Sequence, residues 1–217
     1  MKKHNRLFPI LAALGAITLV ACGSKTDVNE KNINAAMTQY FAKKGGLCIT
    51  TRAWPKRVPE SRFKVKNSPT SAENKTLALE AAGLVKSEVV EEINAGEKSR
   101  LLQFTLTDAA KPFIKEHDIV TVSTNGSSVT AKHIDICWGR KAVDEIVKWE
   151  GPIKLGDYQE ILLTYTYRIE NLPDWTKNPE VQAAFPEVRN IIAAAGVNKL
   201  THGIKLTSLG WEAVGLD

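Results

Sequence analysis

The chain has 217 residues and carries 29 Lys and Arg against 24 Asp and Glu, a formal charge of +5. Lys2, Lys3 and Arg6 lie in the first 21 residues, which hold no acid; the rest carries 26 basic against 24 acidic side chains, and +2 is no electrostatic footprint for nucleic acid. About 185 residues beyond the N-terminal segment suffice for one hydrophobic core or two small lobes sharing one.

The N-terminus reads as a secretory leader: a cationic start, an apolar stretch over residues 7–20, and small residues ahead of a break. A run of about 14 apolar residues spans only ~21 Å as a helix, short of the ~30 Å hydrocarbon core, and Pro9 and Gly15 weaken it further. The tetrad Leu19-Val20-Ala21-Cys22 that follows resembles the lipobox of bacterial lipoproteins. That resemblance covers only the first 22 residues or so. It implies a signal peptide over residues 1–21 and a diacylated Cys22 as the mature N-terminus. Gly23, in place of the Asp associated with inner-membrane retention, implies an outer-membrane protein facing the periplasm. The other reading is an ordinary secretory signal with an incidental cysteine. Residues 24–32 (SKTDVNEKN) are polar without apolar periodicity and are expected to be a tether reaching about 30 Å, so that residues 22–32 are lipidated Cys plus tether and 33–217 the periplasmic domain.

Apolar positions at Ile33, Ala36, Met37, Tyr40 and Phe41 predict a helix over residues 33–43, ended by Gly45-Gly46. Residues 47–51 read as a strand; Trp54-Pro55 and Val58-Pro59 are expected to break regular structure, and residues 62–71 to be loop. A second helix is predicted over residues 74–85, with Gly83 suited to its C-terminus. Residues 87–93 and 100–106 form a predicted hairpin, and Thr107 or Asp108 caps a short helix holding Pro112 in its first turn. The helix, hairpin and Leu-Thr-x-x-Ala order over residues 74–114 resembles the back half of winged-helix domains in supersecondary structure only; it lacks a recognition helix rich in Arg, Lys, Asn or Gln.

Strands are predicted at residues 120–122 and 129–138, with His133, Asp135 and Cys137 alternating against Ile134, Ile136 and Trp138. Residues 141–149 are compatible with strand or helix, and Gly151-Pro152 is expected to stop them. Residues 158–169 give the clearest strand. Asp174 caps a turn holding Trp175; Pro179 and Pro186 open helices, and Gly196 ends the second. The Leu-Thr pairs at residues 106–107 and 206–207, each leading from a strand into a predicted short helix, suggest two related halves, 33–118 and 119–217. The fold class is α+β, antiparallel sheet with short helices.

Cys22 aside, Cys48 and Cys137 make an even pair in an oxidising compartment, as a disulfide or as two buried thiols. For metal chemistry the nearest candidate pair is His133 with Asp135, whose other reading is a polar strand face; no metal or cofactor is expected. No nucleophile elbow or Ser-x-x-Lys pair is present. The basic run Lys56, Arg57, Arg62, Lys64 and Lys66 suits anionic headgroups or glycan phosphates, or is a solvated loop. The five tryptophans stand near strand ends and turns, and residues 172–185, carrying Trp175 and Phe185, are the candidate interaction surface. The reading is an anchored envelope lipoprotein with a binding or structural role and a protein or glycan partner. An inhibitor of a toxic enzyme and an envelope-polymer hydrolase are the alternatives. Cys22 is expected to be the only strong membrane contact.

Overall fold

A computed structural model describes residues 24–51, 53–94, 97–124 and 126–216. The leader, Cys22, and the turn residues Ala95, Gly96 and Asn125 lie outside the described residues. The first helix, α1 (Glu30–Lys44), begins three residues earlier than its apolar face predicts, because the Asn29 side chain accepts from the Asn32 amide and fixes the N-terminus there. Ahead of it the polar segment is not extended. Asn32 Nδ2 donates to the carbonyls of Ser24 and Asp27, and the Trp211 indole donates to Thr26 O at 3.1 Å. Residues 24–29 therefore belong to the domain, which corrects the tether expected over 22–32.

Strand β1 (Gly46–Thr51) follows, then β2 (Lys56–Pro59), a short strand where sequence predicted only a break. Pro59 is tolerated because β2 is the edge of a three-stranded sheet, paired only to β4. Helix α2 (Ala72–Ala81) is capped by Ser71. It closes with Leu84 N to Leu79 O and Gly83 N to Glu80 O, a paired termination that needs the left-handed Gly83 (φ +75°). The hairpin β3 (Val85–Asn94) and β4 (Glu97–Leu106) completes a sheet of order β2-β4-β3, so the winged-helix-like segment has its expected helix and hairpin. The Pro112 segment is a 3-10 turn, Asp108–Phe113.

The second sheet is built on one 28-residue strand. Strand β5 (Ile114–Val122) and β6 (Ser128–Leu155) form an arm, and β7 (Tyr158–Glu170) returns along β6. The ambiguous residues 141–149 are strand, and Gly151-Pro152 does not stop them: register shifts between Glu150 and Ile153, so the break is absorbed as a bulge. A 3-10 turn (Asp174–Lys177), α3 (Pro179–Ala184) and α4 (Pro186–Ala194) lead to the hairpin β8 (Leu200–Thr207) and β9 (Gly210–Ala213). Residues 134–136 of β6 pair with both β1 and β5, and Arg140 pairs with both β1 and β7. Hence β5 and β7 succeed one another along one edge of β6, with β1 on the other.

Two cores result. Ile33, Met37 and Phe41 of α1 pack on Ile161, Leu163 and Tyr165 of β7 and Trp211 of β9; a second cluster joins Leu47 and Ile49 of β1 to Leu79, Phe104, Ile136 and Val188. The predicted halves are not repeats. Strand β1 belongs to the second sheet and α1 packs on that sheet, α3 packs on α2, and the second Leu-Thr leads into a hairpin turn where the first leads into a 3-10 turn. Among the described residues no helix is long and apolar enough to cross a membrane.

Candidate functional site

Residues of β1, of β2 and of α2 together line a cleft of about 560 Å³. That volume suits a small ligand or one protruding group of a larger one. Ile49, Leu79 and Phe185 form its floor, and Lys56, Arg57 and Lys75 stand around it. The Lys56 ammonium lies 4.2 Å from the centre of the Trp54 ring, and Lys75 Nζ 5.3 Å from that of Phe185. Trp54 is itself held by its indole N–H, which donates to Thr51 Oγ1 at 2.9 Å.

The wall carries one carboxylate, Glu73, which is buried and paired to Arg62 at 2.6 Å. Its carboxyl is held below the ordinary glutamate range, first by a backbone amide hydrogen bond and then by the charge and hydrogen bond of Arg62. Arg62 thus offsets Glu73, and the side chains of Lys56, Arg57 and Lys75 line the cleft around it. Arg57 Nε donates to Gln103 Oε1 at 2.7 Å, which fixes its guanidinium against β4. The predicted basic run is therefore divided: Lys56 and Arg57 face the cleft, Arg62 neutralises its wall, and Lys64 pairs with Glu60 outside it at 3.3 Å. Lys75, nineteen residues beyond Lys56 in sequence, is the residue that sequence reading missed.

Cys48 and Cys137 are bonded, directly opposite one another across β1 and β6. Along the same face of β6 come Asp135 and His133, as the alternation predicts. His117 of β5, paired with His133, brings Nδ1 to 3.6 Å from Asp135 Oδ2, while Asp135 Oδ1 is buried without a hydrogen-bond partner. Among the described residues no three His, Cys, Asp or Glu converge to hold a metal ion. The cleft does not reach this row.

Of the two aromatics expected to present an interaction surface over residues 172–185, Phe185 does not stand on the surface, which corrects that expectation for Phe185 alone. Phe185 is 2% exposed and belongs to the core beneath the cleft; Trp175 is half-buried with its ring 5.8 Å from Phe113. Trp138 and Trp211 are likewise buried. Comparison of the chain with protein-family models, with curated proteins and with solved structures found no match. Residue chemistry alone therefore carries the functional reading.

Proposed function

We propose that this protein is a lipid-anchored envelope lipoprotein, facing the periplasm from the outer membrane, that works by binding a phosphate-bearing envelope glycan in the cleft of Lys56, Arg57 and Lys75. The observation that carries the binding site is the convergence of those three cations over an apolar floor, with the one wall carboxylate offset by Arg62. Ammonium and guanidinium groups suit phosphate oxygens. The half-buried Trp54 ring, which lies under the Lys56 ammonium, helps to hold that charge beside the cleft. The anchor supports this chemistry. Confining a weak binder to a thin layer beside an immobile polymer raises its effective concentration, so modest intrinsic affinity suffices.

The test uses the mature protein and a phosphorylated glucosamine disaccharide as probe, with titration calorimetry as the readout. Binding is expected to weaken as salt rises, because cleft charges are screened. The double variant Lys56→Glu, Lys75→Glu should bind at least tenfold more weakly with an unchanged circular dichroism spectrum, since both side chains sit on the surface of the cleft. Equal affinity in the wild type and the double variant would remove the cleft from the account.

A further inference from the structure

The chain end nearest the anchor and an exposed apolar patch meet at one end of the second sheet. Glu160 of β7 pairs with Lys205 of β8, so two residues back along β7 and two residues on along β8 reach Tyr158 and Thr207 at the same sheet end. The β6–β7 turn and the β8–β9 turn therefore lie side by side there. Residues 25 and 26 dock on the same corner: a Cβ built on Gly210 would stand 3.3 Å from Lys25 O, and the Trp211 indole holds Thr26 O. Cys22 precedes Ser24 by two residues, at most ~7 Å of extended chain.

This corner is apolar and wet. Ile153 is 72% exposed, Leu155 79% and Leu209 77%, with Tyr158, Leu162 and Val214 between 40% and 46%. Leu155 and Tyr158 are cross-strand partners, and Ile153 lies opposite Glu160, so these side chains share one face of the β6–β7 hairpin. Leu162 pairs with Gly203, whose Cβ position would meet Glu160 and then Val214, extending the patch, beside that carboxylate, to the residue after the last strand. The remaining charges balance: Lys25, Lys154 and Lys205 against Asp157, Glu160 and Glu212. A patch of this kind is not what a free aqueous surface selects.

We infer that the β6–β7 and β8–β9 turns form a membrane-contact surface, seating Ile153, Leu155, Tyr158 and Leu209 in the headgroup boundary of the bilayer that holds the lipid of Cys22. The inference rests on the anchor reading of Cys22 and adds an orientation to it. The single residue Gly23 between Cys22 and Ser24 leaves the corner little room to stand away from the surface, and a bilayer is the one apolar phase that the anchor brings there. Asp157 at the turn keeps the insertion shallow. Tyr158, apolar in its ring and hydrogen-bonded through its hydroxyl to Glu160, suits a boundary between hydrocarbon and water. Because β6 runs from Ser128 to Leu155, the far arm tip and the disulfide face are directed away from the membrane.

The test places an environment-sensitive fluorophore on Leu155→Cys in the lipidated mature protein, labelled without reductant, and on Val122→Cys at the far arm as the control. In phosphatidylethanolamine–phosphatidylglycerol vesicles the Leu155→Cys label should shift to the blue and be quenched severalfold by nitroxide-bearing lipid, little affected by salt; the Val122→Cys label should read water. A protein that floats with the vesicles while its Leu155→Cys label reads water overturns the contact surface and leaves the anchor standing. A protein that does not float overturns both. A blue shift that appears without vesicles and grows with protein concentration assigns the patch to a second copy, and overturns the inference.

Discussion

Cys22→Ser is expected to transfer the protein almost completely from the membrane pellet to the soluble periplasmic fraction, with the folded domain intact. The magnitude follows from acyl-chain arithmetic. Each buried methylene contributes about 0.8 kcal/mol, one chain alone holds a protein only marginally, and two or three chains hold it stably, so loss of the thiol removes the whole anchor. The apolar corner cannot replace it. A fully buried Leu or Ile side chain contributes only about 1.5–3 kcal/mol, and a shallow contact by a few partly exposed side chains recovers a fraction of that. Fold stability should be unchanged, because residues 24–27 are held to α1 by hydrogen bonds from the Asn32 side chain to Ser24 O and Asp27 O, which the substitution leaves in place. Fractionation with an alkaline wash, followed by thermal melting of the released protein, checks both parts. A variant that still sediments after the wash contradicts the anchor.

Replacing both Cys48 and Cys137 with alanine should lower the stability of the isolated domain severely. The bond closes a separation of 89 residues, for which the chain-entropy relation gives about 4.6 kcal/mol, the upper part of the usual range of roughly 2–5 kcal/mol. Little packing is lost with the sulfurs, since Cys48 is exposed and Cys137 only half-buried, whereas their neighbours Leu47, Ile49, Ile136 and Trp138 are core. The effect therefore acts chiefly through the unfolded chain, whose freedom the bond restricts. A fall in melting temperature on the order of 10 °C is expected, and wild type treated with dithiothreitol should melt with the double variant. An unchanged melting temperature would assign these cysteines no part in stability. Because β1 carries the cleft residues Ile49 to Thr51 beside the bond, reduction should also weaken disaccharide binding.

Sequence exposes local signals better than pairings. The left-handed Gly83 and the prolines opening α3 and α4 act over one helical turn and are readable as short patterns, whereas the caps at Asn29 and Ser71 went unread, so α1 and α2 start earlier than their apolar faces predict. Residues 114–119 of β5 were not readable, because both faces of that arm are largely solvated and no apolar alternation marks it; pairing with β6 specifies it instead. The same reason hid the continuation of β6 through Gly151-Pro152, where a bulge absorbs the proline. The basic run was legible as charge, but Lys75 joins it only after α2 folds across β1, and Glu73 cancels part of it only through Arg62. Ile153, Leu155 and Tyr158 are separated from Leu209 by about fifty residues, and strand register alone makes them one surface. A lone exposed Leu carries no message; several at one sheet end, beside the anchored terminus, do.

The measurement that bears most directly on the central claim is the mass of the N-terminal peptide of the mature protein purified from membranes. Cleavage after Lys25 leaves the peptide of residues 22–25, which should carry the added mass of a diacylglyceryl group on Cys22 and an acyl chain on its amine, with no peptide recovered from residues 1–21. An unmodified Cys22 thiol, or a mature N-terminus at any other residue, would contradict the lipid-anchored reading and with it the membrane-facing orientation of the β6–β7 turn.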